Sequence, residues 1–224
     1  MNTRDNSNLS STRPRVDKPN RCQYFTQALQ AYRSGQFGAF AAYKSALLST
    51  RTYPEISEQL AQLPTCFPKI DLAELRTLPE DTFGYCYAKH MDDCHLTPLD
   101  VSPDVAQQLC HQPLGLRYTL THDIFHVLLD YDISLVGELG VWSFVAAQHY
   151  SPSYNLAAIL ARYLYPLAVP HKYPQLRASE QRGRRIAKQA VCLIAQPFEH
   201  YWSFPLTTVR SCFGLEKCRE RASR

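Results

Sequence analysis

Two histidines four residues apart, with an aspartate directly after the first, interrupt an otherwise apolar run: His122-Asp123-Ile124-Phe125-His126. Glu138 follows, sixteen residues after His122. Imidazole nitrogens and carboxylate oxygens are the donors that divalent metals take from proteins. On an α-helix, residues four apart are rotated by only about 40° from one another, so both imidazoles reach one ion from the same face. Asp123 is roughly 100° further round. It either bends in as a ligand or stays outside and orients an imidazole. Had the helix continued, Glu138 would sit about four to five turns from His122, out of reach. Asp130-Tyr131-Asp132 supplies a turn, and a second helix folding back antiparallel brings Glu138 opposite His126. Two imidazoles with one or two carboxylates suit zinc and accept iron or manganese, whereas magnesium prefers more oxygen. The competing structural reading is a pair of core histidines, each satisfied by a carbonyl.

The elements that must carry these residues are helices. Tyr24, Phe25, Ala28, Leu29 and Tyr32 recur at helical spacing and stop at Ser34-Gly35. A second run covers Phe37 to Leu48, and Pro54 stands where a third helix starts, ahead of Ile56 and Leu60. Pro64 to Pro68 breaks the chain, and a short helix through Leu72 and Leu75 follows. Leu78-Pro79 turns into a helix through Phe83, Tyr87 and His90 or Met91, with Asp104 as the cap of the next. The helix with the histidines runs from Leu116 to Leu129, its partner from Ile133 to Tyr150. Tyr154 to Tyr165 is stopped by Pro166, Ala178 to Ile194 is basic and amphipathic, and a last short helix passes through Val209 and Phe213. With only 8 glycines and no convincing hairpin, the fold class is all-α. Residues 1–20 read as a disordered tail and 21–224 as a single multi-helix domain.

Composition narrows the partners. A net charge of +4 and a pI near 8.6 are mild, and no nucleic-acid-binding module is visible, so nucleic acid is not an expected partner. Eight scattered cysteines without a Cys-x-x-Cys pair predict buried, reduced thiols. The first twenty residues lack the apolar centre of a signal peptide. No stretch reaches the roughly 20 apolar residues that cross a bilayer; the most apolar, Leu156 to Val169, is interrupted by Arg162 and Pro166.

The segment HDIFHVLLDYDISLVGELGVWSFVAAQ, residues 122–148, resembles the signature of the coenzyme Q (ubiquinone) biosynthesis family usually called COQ-four: His-Asp-x-x-His, eleven residues, then Glu. Leu78-Pro79 through Phe83-Gly84, Tyr87-Ala88 and Leu96-Thr97-Pro98 is similar to the family's region ahead of the signature. Glu199, Pro205-Leu206, Val209-Arg210 and Phe213-Gly214-Leu215 resemble its C-terminal end, so the likeness covers roughly residues 75–215. Two positions depart from it. Asp130 stands where the family usually has Gly, and Phe198-Glu199 where it has Trp-Glu. Asp tolerates the left-handed conformation such a turn needs.

The resemblance implies a metal-dependent protein of prenylquinone biosynthesis that binds a polyprenylated ring precursor and acts at ring C1, by decarboxylation with hydroxylation. His122 and His126 would anchor the ion, Glu138 would close the site, Asp123 would bind or orient, and the acidic pair Asp123 and Glu138 would take the catalytic part. A prenyl tail needs an apolar tunnel, for which Phe125, Leu129, Leu156 and Leu160 are candidates, although each also reads as ordinary core. Such a substrate places the protein in the cytoplasm at a membrane surface, or on the matrix side of the inner mitochondrial membrane in a eukaryote. The basic run Arg182, Arg184, Arg185 and Lys188 could face the lipid. The N-terminal segment is a poor mitochondrial presequence, pointing to a bacterial or divergent member. Other quinone-biosynthesis proteins and a second copy of the chain are further expected partners. Two other functions stay open: a non-catalytic prenyl-lipid scaffold whose metal only staples two helices, and, least favoured, a phosphohydrolase, for which no distant His/Asp ligand set is found.

Overall fold

The computed structural model describes residues 21–48, 51–65, 68, 70–99, 101–110 and 112–215. The expected N-terminal tail, residues 1–20, lies outside them. Among the described residues eleven α-helices form one all-α domain, and the only bridge is an isolated pair between Thr82 and Pro205.

The organising element is α7 (Pro113–Leu129), which starts at Pro113, where a missing N–H costs nothing. Apolar side chains surround it on all sides, which is the composition of a helix buried in a domain rather than lying on its surface. Leu114, Ile124, Phe125, Leu128 and Leu129 are all buried. Even Arg117 is sealed in. Its guanidinium donates to the carbonyls of Ile194 at 2.7 Å, Thr65 at 3.3 Å and Gln196, which is how a cation survives burial.

Two clusters pack on α7. The smaller joins α1 (Arg21–Arg33), α2 (Phe37–Leu48) and α6 (Pro103–Leu109) through Tyr24, Ala28, Ala42, Tyr43 and Leu109. Of the stripe predicted on α1, Tyr24 and Ala28 are buried, but Phe25, Leu29 and Tyr32 face outward. The larger cluster gathers α3 (Pro54–Ala61), α4 (Leu72–Leu75), α5 (Phe83–Asp93), α8 (Leu135–Ala147) and α11 (Leu206–Cys212). The start of α5 is fixed from the C-terminal end of the chain: Phe83 and Gly84 N–H donate to the carbonyls of Phe204 and Trp202 at 2.8 and 2.9 Å.

Helices α9 (Pro152–Ala168) and α10 (Tyr173–Ala187) complete the domain. Gly140 of α8 and Gly183 of α10 let these two helices touch backbone to backbone; a Cβ on Gly183 would stand 2.3 Å from the Gly140 carbonyl oxygen. Gln148, just past α8, donates to the carbonyls of Ala187 and Ala190 and accepts from Leu193 N–H, tying the ends of α8 and α10 together.

Several expected boundaries move. Pro166 lies inside α9 instead of ending it. Proline at this position removes only its own hydrogen bond, and α9 ends two residues later, so little helix lies beyond the break while Val169 N–H still donates to the Tyr165 carbonyl. Ser102, not Asp104, caps α6, because Pro103 occupies the first helical position and leaves Asp104 in the first turn. The basic helix runs over Tyr173–Ala187, and Leu193–Ala195 is a separate 3-10 turn. The six cysteines among the described residues are free thiols, as expected, but three are exposed and three half-buried. None lies in the core.

Candidate metal centre

The turn between α7 and α8 builds the site. Asp130 ends α7 in the left-handed region, φ +58°, which reverses the chain as the sequence predicts. The last carbonyls of α7 are covered by two arginines. Arg210 donates to Val127 and Leu128, and Arg182 to Leu129 and Asp130, placing positive charge at the negative end of the helix. Arg182 therefore belongs to this cap rather than to an outward basic face. Asp132 then accepts from the Ser134 N–H and hydroxyl, and Ser134 caps α8 through the Gly137 N–H. Glu138 follows in the first turn of α8.

The result is a tight triangle. His122 Nε2 and His126 Nε2 are 3.2 Å apart, and Glu138 Oε1 lies 3.4 Å from the first and 3.2 Å from the second. A tetrahedral ion with ligand bonds of ~2.05 Å sets its ligands ~3.3 Å apart, so these edges, which are hydrogen-bond and ion-pair contacts, also have the spacing a zinc-sized ion would need. Both imidazoles are held by their other nitrogen. His126 Nδ1 is 3.0 Å from the Asp132 carbonyl, which accepts only if that nitrogen carries the proton and so leaves Nε2 free to ligate. His122 Nδ1 is 3.1 Å from the Tyr118 hydroxyl. The His126 side chain is fully buried, while those of His122 and Glu138 are about a quarter exposed, so the triangle opens on one side.

The electrostatics follow from this arrangement. Burial alone would raise the Glu138 pKa, but hydrogen bonds from the two histidines bring it down to about 2. Burial works against protonation of His126, and the Glu138 carboxylate outweighs it, leaving that pKa raised. Burial drives the Tyr118 phenol well above its ordinary range.

Of the four residues named from sequence, His122, His126 and Glu138 converge as a potential ligand set. Asp123 stays outside that triangle, and its charge is felt by Tyr87 and His90 of α5 as well as by His126. The four apolar candidates separate. Phe125 and Leu129 are packed in the main core, Phe125 against Phe144 and Phe198, whereas Leu156 and Leu160 stand on the outer face of α9.

Sequence reasoning missed Tyr118, although it precedes His122 by one helical turn. It also missed His90. That ring stacks on His126 with centroids 6.1 Å apart at 15°, and its buried Nε2 has no hydrogen-bond partner. Burial and the neighbouring His126 lower its pKa. His90 shares the apolar face of α5 with Phe83 and Tyr87, and for that reason reads as a core position.

A helical domain in which a buried helix and its antiparallel partner present two imidazoles and a carboxylate at metal-ligand spacing defines a class, proteins with a candidate helix-borne divalent-metal centre. The comparisons with known proteins narrow it. Residues 19–219 match the family described as "Coenzyme Q (ubiquinone) biosynthesis protein Coq4", and the chain belongs to that family. The bovine protein named ubiquinone biosynthesis protein COQ4 homolog, mitochondrial, is 28% identical over 172 residues, covering 72% of this chain and 61% of its own length. This chain thus spans less than two thirds of that relative. A Paramecium tetraurelia protein named COQ4 homolog 2, mitochondrial, is 29% identical over 86% of this chain and 92% of its own. The crystal structure of a putative ubiquinone biosynthesis protein from Nostoc punctiforme has the same fold, with a TM-score of 0.59 and 23% identity over 88% of this chain and 95% of that one. No helix among the described residues is long and apolar enough to cross a membrane.

Proposed function

We propose that this chain is a metal-dependent protein of ubiquinone biosynthesis that binds a polyprenylated ring precursor and acts at ring C1, where the carboxyl group leaves as CO2 and is replaced by a proton or, where dioxygen serves as the oxidant, by a hydroxyl. The observation that carries the metal half is the triangle of His122 Nε2, His126 Nε2 and Glu138 Oε1, with edges of 3.2 to 3.4 Å. Zinc is the ion that best fits two imidazoles and one carboxylate, with iron and magnesium as alternatives. When bound, such an ion supplies Lewis acidity to a phenolate or carboxylate oxygen of the ring.

The protein's own residues do the rest. His122 and His126 hold the ion, and Tyr118 Oη and the Asp132 carbonyl fix the orientation of their rings. Glu138 adds the third donor, already ionised at neutral pH. Asp123 is assigned an orienting and acid–base part beside the triangle. The half-open side, where Glu138 and His122 reach solvent, favours a catalytic over a closed structural centre, because catalysis needs a free coordination position. A prenylated ring precursor resides in a bilayer, so the protein works at a membrane surface. The prenyl tail is assigned to the α9 side, where Leu156 and Leu160 are accessible, rather than to the sealed Phe125 and Leu129.

Native mass spectrometry with elemental analysis of the purified chain is the test. One zinc or iron per chain with a co-purified prenyl lipid is expected; folded protein carrying neither overturns the reading. Glu138→Ala then separates chemistry from scaffolding. Loss of ring-decarboxylated product with the fold retained is expected of the enzyme. Unfolding of the variant would instead mark the ion as a staple within a lipid-binding scaffold that organises other quinone-biosynthesis proteins.

A further inference from the structure

Helix α9 has two faces with different partners. Inward, Tyr154 packs on Tyr118 with ring centroids 5.0 Å apart and on Trp142 at 6.0 Å, and Tyr118 in turn meets His122. Outward, Leu156, Ile159, Leu160, Tyr163, Leu164 and Leu167 are each more than half exposed. Their spacing of three, one, three, one and three residues puts them on one continuous ridge along the helix. An apolar ridge of this length, unbroken by any acidic residue in α9, needs an occupant.

Charge beside the ridge tells which. A groove of about 420 Å³ runs between α9, the end of α8 and α10, lined by Ile159, Arg162, Arg184 and Lys188, with Glu180 at its base. Glu180 is only 5% exposed and receives three guanidinium groups: Arg177 at 2.5 Å, Arg162 at 3.0 Å and Arg184 at 3.8 Å. Three cations on one carboxylate leave a surplus of two positive charges, and Lys188 adds a third. Glu180 is also the only acidic residue of α9 and α10, and it is already taken. A second copy of this chain, docked ridge to ridge about a two-fold axis, would therefore bring cationic rims together with no exposed acid on either helix to meet them. A surface of phosphate groups over an apolar layer matches both features. Arginine forks recognise phosphate oxygens, and an amphipathic helix with a basic flank lies in the headgroup boundary with its apolar side in the acyl layer.

We propose that the α9 ridge together with the Arg162–Arg184–Lys188 groove is the docking surface of this protein for a bilayer bearing anionic phospholipid headgroups. Leucine and tyrosine side chains of the ridge enter the acyl boundary, and headgroup phosphates occupy the groove. This names the surface and the lipid charge for the membrane approach proposed above and rests on that reading in its biological setting; none of its residues belongs to the metal triangle, while Leu156 and Leu160 are shared with the prenyl-tail assignment, which is why the test is run with no prenyl ligand. Docked in this way, the protein would have a single helix, α9, between the bilayer and the Tyr118–His122 pair.

The test is co-flotation of the full chain with phosphatidylcholine vesicles, with and without about one third phosphatidylglycerol, and with no prenyl ligand present. Binding to the anionic vesicles that falls steeply with salt is expected. Arg184→Ala combined with Lys188→Ala should weaken it about 30-fold, at about 1 kcal/mol for each basic residue near the surface. Leu160→Glu, at a position already half in water, should abolish it. Unchanged zinc content and melting temperature in these variants would show that the fold and the triangle are intact. Equal binding to neutral vesicles, or wild-type binding by both variants, overturns the proposal. So does a concentration-dependent dimer of the wild type that Leu160→Glu dissolves, which would make the ridge an interface between copies. A chain that floats as expected but carries no metal would leave the docking surface standing and remove only the catalytic reading.

Discussion

Tyr118 and His122 stand one turn apart on α7, with the phenol oxygen 3.1 Å from His122 Nδ1, so the ring that aims Nε2 at Glu138 is held by a residue of its own helix. His126 is held instead from outside its helix, by the Asp132 carbonyl of the turn. The two imidazoles thus have independent supports, one set by helical periodicity and one by the turn that returns the chain.

Tyr118→Phe removes the first support and keeps the ring that packs on Phe125, Trp142 and Tyr154. Loss of one net hydrogen bond costs about 1 kcal/mol. Loss of an outer partner of a ligating histidine costs about 10- to 100-fold in metal affinity. Zinc titration against a competing chelator should therefore show a large affinity loss beside a small change in urea midpoint. Unchanged affinity would mean that the hydroxyl does not orient His122.

With zinc in the triangle as proposed, protons would compete with the ion in a direction the cluster fixes. Glu138 has a folded pKa of about 2 against an ordinary 4.5, so its contribution to stability is complete above 4.5 and is lost as pH falls through about 2. His126 is shifted upward from 6.5, so its contribution is complete below 6.5 and is lost as pH rises through the raised value. In metal-free protein the pair therefore supports the fold most between about pH 4.5 and 6.5. Zinc needs His126 deprotonated, and its apparent affinity should rise with pH until that raised value is passed. Metal-free melting curves and zinc titrations over pH 4 to 9 check both slopes; zinc affinity independent of pH would exclude His126 as a ligand.

Metal removal follows from mass action. Zinc at about 100 times its dissociation constant adds about 2.7 kcal/mol. At about 2–4 °C per kcal/mol for a chain of this size, chelation should lower the melting temperature by about 5–10 °C. No shift in a sample first shown to contain zinc would locate the ion away from the folded site.

Much of this was legible in the sequence, for reasons that particular residues illustrate. Phe37–Leu48 and the start at Pro54 are local signals, and the structure keeps both. The reversal at Asp130 was readable because few residues besides Gly, Asn and Asp tolerate a positive φ there, and it is the first step in returning the chain so that Glu138 can reach His126. What was illegible depends on neighbours distant in sequence. His90 reads as an apolar-face residue of α5, and only the packing of α5 on α7 sets it against His126. Arg182 reads as one of a basic run, and only the crossing of α10 over the end of α7 makes it a cap. Leu156 and Leu160 read as core because periodicity reports a face and not what covers it. Asp123 shows the limit of angular reasoning: its position one residue on from His122 allows either part, and the structure leaves it outside the triangle, with its charge reaching Tyr87 and His90 of α5 as well as His126.

Gly137 is a position where the backbone leaves no room beside the site. A Cβ there would lie 1.9 Å from the Asp132 carbonyl oxygen, the acceptor that holds His126. Gly137→Ala must therefore displace that carbonyl, at about 1–3 kcal/mol for overpacking, and should cost more than 10-fold in zinc affinity by analogy with other losses of a ligand's outer partner. Gly35→Ala is the control. It is strained by its φ of +70° but meets nothing within 4 Å and lies far along the chain from the triangle. Comparable destabilisation with intact zinc binding is expected there. Equal affinity losses in both would mean that zinc binding reports general stability and not the Asp132 support.

Asp130 tests the turn itself. Its left-handed backbone costs about 1–2 kcal/mol for an ordinary L residue, less for Asp. Its carboxylate lies 3.8 Å from both Arg182 and Arg210, a spacing worth little at a half-exposed position. Asp130→Gly relieves the first and forfeits the second, so the urea midpoint should move by less than about 1 kcal/mol equivalent, with zinc binding retained. Asp130→Val adds β-branching to the same φ, and should lose about 2 kcal/mol or more and weaken zinc as the reversal loosens. A valine variant as stable as wild type would show that the arginine caps on the α7 carbonyls, rather than the conformation of residue 130, hold Glu138 against the two histidines.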